Sequence, residues 1–276
     1  MKITVLMENE SMIGLEREHG LSLLIESKHC VILLDAGKSK KVTENAYKLN
    51  IDLTNADFAV LSHGHYDHAD GFEAVLEECP HLKVFAHEKI RGEYYSMRDG
   101  TKRYIGVNQQ LLERFKDNFI FVNSSQEIAE GVFLLMHEEN DYRAMAEHAC
   151  LYRKKGDTIE LDDFSHEMSL VIREEEGLFV FNSCAHVGVG NVIKEVKHAF
   201  KGENIAAFVG GFHFLGREPG KCSYTQEEVI ELGKQLVCSG VQRIYTGHCT
   251  GEEGILWLRE VMKDKVKEMH AGYELT

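Results

Sequence analysis

Four times in this chain an apolar run of strand character stops at a small residue followed closely by a histidine. Phe58-Ala59-Val60-Leu61 gives way to Ser62-His63, and Leu178-Phe179-Val180-Phe181-Asn182 to Ser183-Cys184-Ala185-His186. Phe208-Val209-Gly210 gives way to Gly211-Phe212-His213, and Ile244-Tyr245-Thr246 to Gly247-His248-Cys249. Runs this short and this rich in Val, Ile, Leu and Phe read as buried strands. One such histidine alone is more often a satisfied interior or surface residue, but core packing gives no reason for the repetition. Side chains at the carboxyl ends of neighbouring strands converge on one rim of a sheet, which is where sheets of this kind hold ligands. The pattern calls for strands alternating with helices and a polar site at their ends.

The first of these ends is the densest. His63, His65, Asp67 and His68 set three imidazoles and a carboxylate within six positions. His63 and His65, two apart, point one way while the chain is still extended, and Asp67 and His68 arrive on the turn that follows. Imidazole nitrogen and carboxylate oxygen are the ligands of catalytic zinc, and they also suit iron or manganese. Four donors this close serve one metal or are shared between two. The plain alternative, a polar surface loop with a chance cluster drawn from 15 histidines, leaves the grouping unexplained.

Composition narrows the class. The chain has 276 residues with 43% hydrophobic content, enough for a substantial core. A net charge of −14 argues against a nucleic-acid or membrane-surface binder, so the expected partner is a small-molecule substrate. Seven cysteines with no C-x-x-C pair give neither a disulfide framework nor a ribbon-type zinc site, and reduced thiols fit a cytoplasmic protein. The first residues lack a signal-peptide core, and no apolar run reaches the ~18 residues of a membrane span. The oligomeric state is not legible.

Pro80 and Pro219 are the only two prolines, and no linker-like tract interrupts the chain, so a single domain over 1–276 is expected. The periodicity predicts strands at 3–7, 21–27, 30–35, 58–61, 83–86 and 119–122, with helices near 40–49 and 71–79. It predicts a second set at 132–136, 168–173, 178–182, 205–210 and 243–246, with helices near 189–200, 225–239 and 254–267. Two halves of similar layout suggest two sheets packed face to face and flanked by helices. The segment 88–163 is the least regular. Its Arg91, Tyr94, Tyr95, Arg98, Lys102, Arg103 and Tyr104 either form a lid that meets a phosphate or a flat ring, or run over the surface as snorkelling side chains.

Several residues have two readings. Asp35, closing an apolar run, either orients a ligating imidazole or is an ordinary strand-end acid. Gly188-Val189-Gly190-Asn191 precedes a helix and either holds an anion or makes a simple turn. Cys222 and Cys249 have no charged partner in sequence that would mark a reactive thiol and read as buried small residues.

The hexad His63-x-His65-x-Asp67-His68 resembles the signature of the metallo-β-lactamase superfamily, and the resemblance spans most of the chain. Within it, the sequence resembles the group of 7,8-dihydropterin-6-methyl-4-(ribofuranosyl)aminobenzene-phosphate synthase-like proteins. That likeness is carried by 19–25 and Leu33-Leu34-Asp35-Ala36-Gly37, then by Ser183-Cys184-Ala185-His186, Gly210-Gly211-Phe212-His213 and 246–251. The resemblance implies an α+β fold, a four-layer αββα sandwich, with one or two divalent metals in a cleft at the sheet edge, zinc first and manganese or iron as alternatives. It implies that His63 and His65 bind the first metal, Asp67 and His68 the second, and that His186 and His248 complete the shells. The superfamily's bridging Asp has no counterpart at 181–184, where Cys184 offers a thiolate or water alone bridges. His166, just before a strand, stands where other members carry a ligand, with Glu167 and Asp163 as groups that orient an imidazole.

A divalent metal lowers the pKa of its water toward ~7, so hydrolysis of an ester, phosphodiester, lactone or amide is the expected chemistry. Asp67 would orient that water or shuttle its proton. His213, beside Gly210 and Gly211, reads as a substrate-facing donor or as a strand-capping histidine. The alternatives to a hydrolase of a small, phosphorylated or heterocyclic substrate are a pterin-related transferase or synthase, which needs an apolar pocket for a flat ring, and a non-enzymatic metal-binding or sensing role.

Overall fold

Val31–Leu34 and Phe58–Leu61 are apolar at every position because both faces of these strands are buried, the condition of parallel sheet interiors. The computed structural model describes residues 1–137, 145, 149–216, 218 and 220–275. Residues 138–144 and 146–148 of the expected lid segment, and Pro219, lie outside them.

The contacts divide the chain into two compact units. The first comprises 1–93, 105–124 and 269–276 and is built on a seven-stranded sheet. From edge to edge its strands are Glu274–Leu275, Lys2–Met7, Ser22–Glu26, Val31–Leu34, Phe58–Leu61, Val84–His87 and Phe119–Val122. The first three pairings are antiparallel and the last three parallel. Parallel neighbours need a crossover, and helices Lys41–Lys48 and Phe72–Glu78 lie in those connections. Phe72, Val75 and Leu76 bury one helix face against Leu33, Ala59 and Leu61.

The second unit comprises 94–104 and 125–268. Its seven-stranded sheet runs Val266–Glu268, Arg243–Thr246, Ile205–Val209, Gly177–Phe181, Met168–Glu174, Val132–Met136 and Gln126–Ala129. The first three pairings are parallel and the others antiparallel. Helices Val189–Ala199, Gln226–Ser239 and Gly251–Met262 accompany the parallel part. Thr225 and Glu228 close a reciprocal capping box at the start of the second of these.

The last helix is shorter than the periodicity predicts. It ends at Met262, Lys263 adopts φ 51°, and Val266 joins the sheet opposite Ile244. Sheet pairing there outweighs the helical pattern carried through 267.

A four-stranded antiparallel sheet, Thr158–Leu161, Leu151–Lys155, Tyr94–Ser96 and Arg103–Tyr104, is the largest part of the second unit that the sequence pattern did not announce. Its basic and aromatic residues meet one another. Lys102 lies over the Tyr95 ring at 4.0 Å, Tyr95 meets Tyr104 edge-on, and the Arg98 guanidinium reaches the carbonyls of Ala149 and Leu215. No helix among the described residues is long and apolar enough to cross a membrane.

Candidate metal centre

In the first unit the strand Phe58–Leu61 stops at Ser62, and the hexad turns through the short helix Tyr66–Ala69. The turn is pinned from below. Ala36 N–H donates to the His68 carbonyl (2.8 Å) and Gly71 N–H to the Gly37 carbonyl (3.1 Å). A Cβ on Gly71 would stand 1.9 Å from the Ala36 carbonyl oxygen, so only glycine permits this approach.

His63 and His68 are fully buried, and His65 and Asp67 nearly so. The His63 ring lies 4.6 Å from that of His65 and 4.3 Å from that of His68. Asp35, at the end of the neighbouring strand, organises them. Its carboxylate accepts from Ser62 N–H (2.8 Å), from Ser62 Oγ (2.8 Å) and from His68 Nδ1 (2.7 Å). Asp35 holds φ 57°, a strained conformation for a residue with a side chain, and its own carbonyl accepts from Ser22 Oγ.

This network sets the tautomers. A carboxylate only accepts, so the single hydroxyl proton of Ser62 goes to Asp35, and Ser62 Oγ must accept from His63 Nδ1 (2.8 Å). His68 likewise spends its Nδ1 proton on Asp35. Both rings therefore keep the lone pair on Nε2, the arrangement in which a buried imidazole serves as a ligand. Of the two readings of Asp35, the orienting one is the one observed. Asp67 Oδ2 lies 3.3 Å from His19 Nε2 and 3.7 Å from His68 Nε2. Tautomers, burial and donor types in the hexad all fit a divalent ion, and no packing role accounts for them.

In the second unit the donors come one strand at a time. The end of Gly177–Phe181 carries Cys184 and His186, that of Ile205–Val209 carries His213, and that of Arg243–Thr246 carries His248 and Cys249. Ala185, His213 and His248 all adopt left-handed backbone, with φ of 45°, 49° and 48°. Strained residues at three successive strand ends are a mark of functional sites. The His186 ring stacks on Phe164 at 5.0 Å and lies 4.2 Å from the His213 ring.

Glu167 fixes that loop by accepting from the backbone N–H groups of His186 (2.9 Å) and Val187 (3.0 Å). Complete burial pushes its carboxyl above the usual range, while nearby His137 and these two N–H groups work against the shift. Glu167 thus orients the backbone of His186. Asp163 serves elsewhere, paired with Arg153, and it is Asp162, four residues before His166, that meets the His166 ring (3.1 Å). That i,i+4 spacing was present in the sequence. At the end of Gly177–Phe181, Asn182 spans Ser169 Oγ and the Ala185 N–H.

Cys249 departs from the sequence reading. The donor atoms of Cys184, His213 and Cys249 all lie within 4.8 Å of one another. Burial pushes the Cys249 thiol up, but the side chains of Cys184 and His213 beside it outweigh this and hold it well below its ordinary range. Only the meeting of three strand ends reveals this; nothing flanking Cys249 in sequence does.

The second unit also contains a cavity of about 400 Å³ lined chiefly by Met145, Phe212, Phe214, Tyr224, Val229 and Leu232. Phe214 lies 5.5 Å from Phe212 and 5.3 Å from Tyr224, ring to ring. Tyr224 Oη donates to Met145 Sδ (2.8 Å), and burial pushes its hydroxyl up to about 12. Gly188 to Asn191, the candidate anion loop, form part of the wall at the start of helix Val189–Ala199.

Residues 15–143 match the family model of the metallo-beta-lactamase superfamily. The solved structure of Tm1679, described as a metal-dependent hydrolase of the beta-lactamase superfamily, superposes with a TM-score of 0.83 at 30% identity, covering 100% of this chain and 98% of that one. The chain belongs to the metallo-β-lactamase superfamily, and its mixed α/β fold is that of the family. Within the superfamily it is 26% identical over 267 residues to the 7,8-dihydropterin-6-methyl-4-(beta-D-ribofuranosyl)-aminobenzene-5'-phosphate synthase of Methanocaldococcus jannaschii, covering 92% of this chain and 88% of that protein. The metallo-beta-lactamase fold protein YhfI from Bacillus subtilis shares the fold at a TM-score of 0.60 with 13% identity over 100% of this chain and 99% of its own.

Proposed function

We propose that this protein is a metal-dependent hydrolase of a small-molecule substrate, working in the cytoplasm. The observation that carries the reading is the buried hexad, in which Asp35 and Ser62 leave the Nε2 lone pairs of His63 and His68 available. His63, His65, Asp67 and His68 would hold one or two divalent ions, zinc first and manganese or iron as alternatives. When bound, such an ion supplies Lewis acidity and makes water a nucleophile at neutral pH. The chain's own contribution is placement. Asp67, with His19 beside it, orients the attacking water and takes its proton, and Asp35 keeps the imidazoles in register. The water oxygen forms the new bond to carbon or phosphorus, the scissile bond breaks, and the leaving group departs with a proton.

Metal content and turnover test this together. Protein purified without chelator is expected to carry one or two divalent ions per chain, lost in His63→Ala and His65→Ala, and to hydrolyse a member of a lactone, phosphodiester and ester panel. Metal-free protein that stays inert after reconstitution with zinc, manganese and iron would overturn the reading. His186 and His248, ligands by the family's pattern, are tested by the metal content of His186→Ala and His248→Ala.

One observation favours a second reading, a pterin-related synthase or transferase. The cavity walled by Phe212, Phe214 and Tyr224 has the size and aromatic lining to take a flat heterocycle. The likeness to the dihydropterin-ribofuranosylaminobenzene phosphate synthase agrees with it. Quenching of Tyr and Trp fluorescence by a reduced pterin, lost in Phe214→Ala, would favour this reading, and turnover of generic esters with no pterin binding would favour the first.

A further inference from the structure

We propose that Cys184, His213 and Cys249, all in the second unit, form a thiolate-rich metal site. The three donors come from the ends of three adjacent parallel strands, and their ligand atoms lie within 4.8 Å of one another. In a tetrahedral zinc site with Zn–S about 2.3 Å and Zn–N about 2.0 Å, donor atoms stand roughly 3.5–3.8 Å apart, so closure needs shifts of about 1 Å or less. Two sulfurs and one imidazole are a borderline-soft set that selects zinc or cobalt(II) over magnesium or calcium.

Three local features serve this grouping. His213 is held in left-handed conformation at φ 49°, and no hydrogen-bond partner among the described residues meets either of its ring nitrogens. A Cβ on Gly211 would stand 2.4 Å from Cys249 Sγ, so glycine is what lets the sulfur come in against the strand end. Phe212 N–H donates to Thr250 Oγ1 (2.9 Å), and Thr250 Oγ1 shares a second bond with Thr246, which ties the loop of His213 to the loop of Cys249. Binding M²⁺ puts a metal–sulfur bond on each cysteine and releases whatever thiol protons remain, with no change of oxidation state. Three protein donors leave the fourth corner to water or an exogenous ligand. In this assignment Cys184 pairs with Cys249 rather than replacing the family's bridging acid.

The test is cobalt(II) spectroscopy of the full chain, stripped with chelator and reduced with a phosphine under nitrogen. The expected result is a thiolate-to-cobalt charge-transfer band in the near ultraviolet. The band should be lost in Cys184→Ser and in Cys249→Ser, weakened in His213→Ala, and retained in His63→Ala. No band in the parent, or a band lost in His63→Ala and kept in Cys249→Ser, overturns the site. Zinc-edge X-ray absorption on the fully loaded parent needs no variant. Sulfur scatterers at about 2.3 Å support the proposal, and a shell of nitrogen and oxygen alone overturns it. Because the hexad variant keeps the band, failure here and failure of the hydrolytic centre give different results.

Discussion

The two units put donors at the ends of parallel strands in opposite ways. In the first, one turn of chain carries His63, His65, Asp67 and His68, and a single buried acid, Asp35, aligns them. In the second, each strand end brings one or two donors, and what aligns them is backbone: left-handed residues at Ala185, His213 and His248 and the Glu167 carboxylate under the loop of His186. The chemistry differs as well. The first cluster is nitrogen and oxygen, whereas the second mixes imidazole with sulfur. A contiguous cluster needs one correct turn to form, but a distributed one needs three strands in register, so its geometry is more exposed to distant substitutions.

Substitutions can break this contrast, beginning with the largest effect. His63→Ala should lower hexad metal affinity and turnover by more than about a hundredfold, since even groups that only orient a ligand contribute ten- to a hundredfold. Metal content by mass spectrometry and steady-state kinetics check it, and the cobalt–thiolate band should persist. Asp35→Ala should cost about 3 kcal/mol in urea unfolding, because Ser62 N–H, Ser62 Oγ and His68 Nδ1 all lose a buried acceptor. A cost below about 1 kcal/mol would mean that Asp35 does not organise the cluster.

Glycine replacements compare the two ends directly. Gly71→Ala drives a Cβ into the Ala36 backbone oxygen at 1.9 Å and should destabilise by about 2–3 kcal/mol. Gly211→Ala meets a side chain, Cys249 Sγ, at 2.4 Å, and should cost less, about 1–2 kcal/mol. Paired thermal melts check the order, and the reverse order would show that the second cluster is the more rigid one.

The smallest effect concerns Tyr224 in the cavity. Its folded pKa, pushed to about 12, lies above its ordinary value of 10.0, so the stability it contributes is complete below pH 10 and lost as pH rises through about 12. At neutral pH Tyr224→Phe should change stability by under about 1 kcal/mol, the worth of one hydroxyl bond. Alkaline titration of tyrosinate absorbance should show the parent-minus-variant component rising near pH 12. A component rising near pH 10 would mean that the cavity wall is wet.

Legibility in the sequence tracked the same division. The hexad could be read because four ligand-type residues within six positions have no other economical explanation. The strand ends at His186, His213 and His248 could be read from apolar runs that stop. Asp35 stayed ambiguous because its partners are 27 and 33 residues away. Cys249 read as an inert thiol because the groups that act on it, Cys184 and His213, come from other strands. The four-stranded sheet around Tyr94–Ser96 was hidden by strands too short and too mixed in polarity to show a period.

By itself, the sequence determined the alternation of strands and helices, the superfamily signature and the identity of the donor atoms, since hydrophobic period and side-chain type are local properties. Only the tertiary structure decided strand order, the tautomers of His63 and His68, the end of the last helix at Met262 and the meeting of Cys184, His213 and Cys249. Each of these depends on hydrogen bonds or contacts between residues far apart in the chain, and their energies are fixed by which strands become neighbours rather than by any window of sequence.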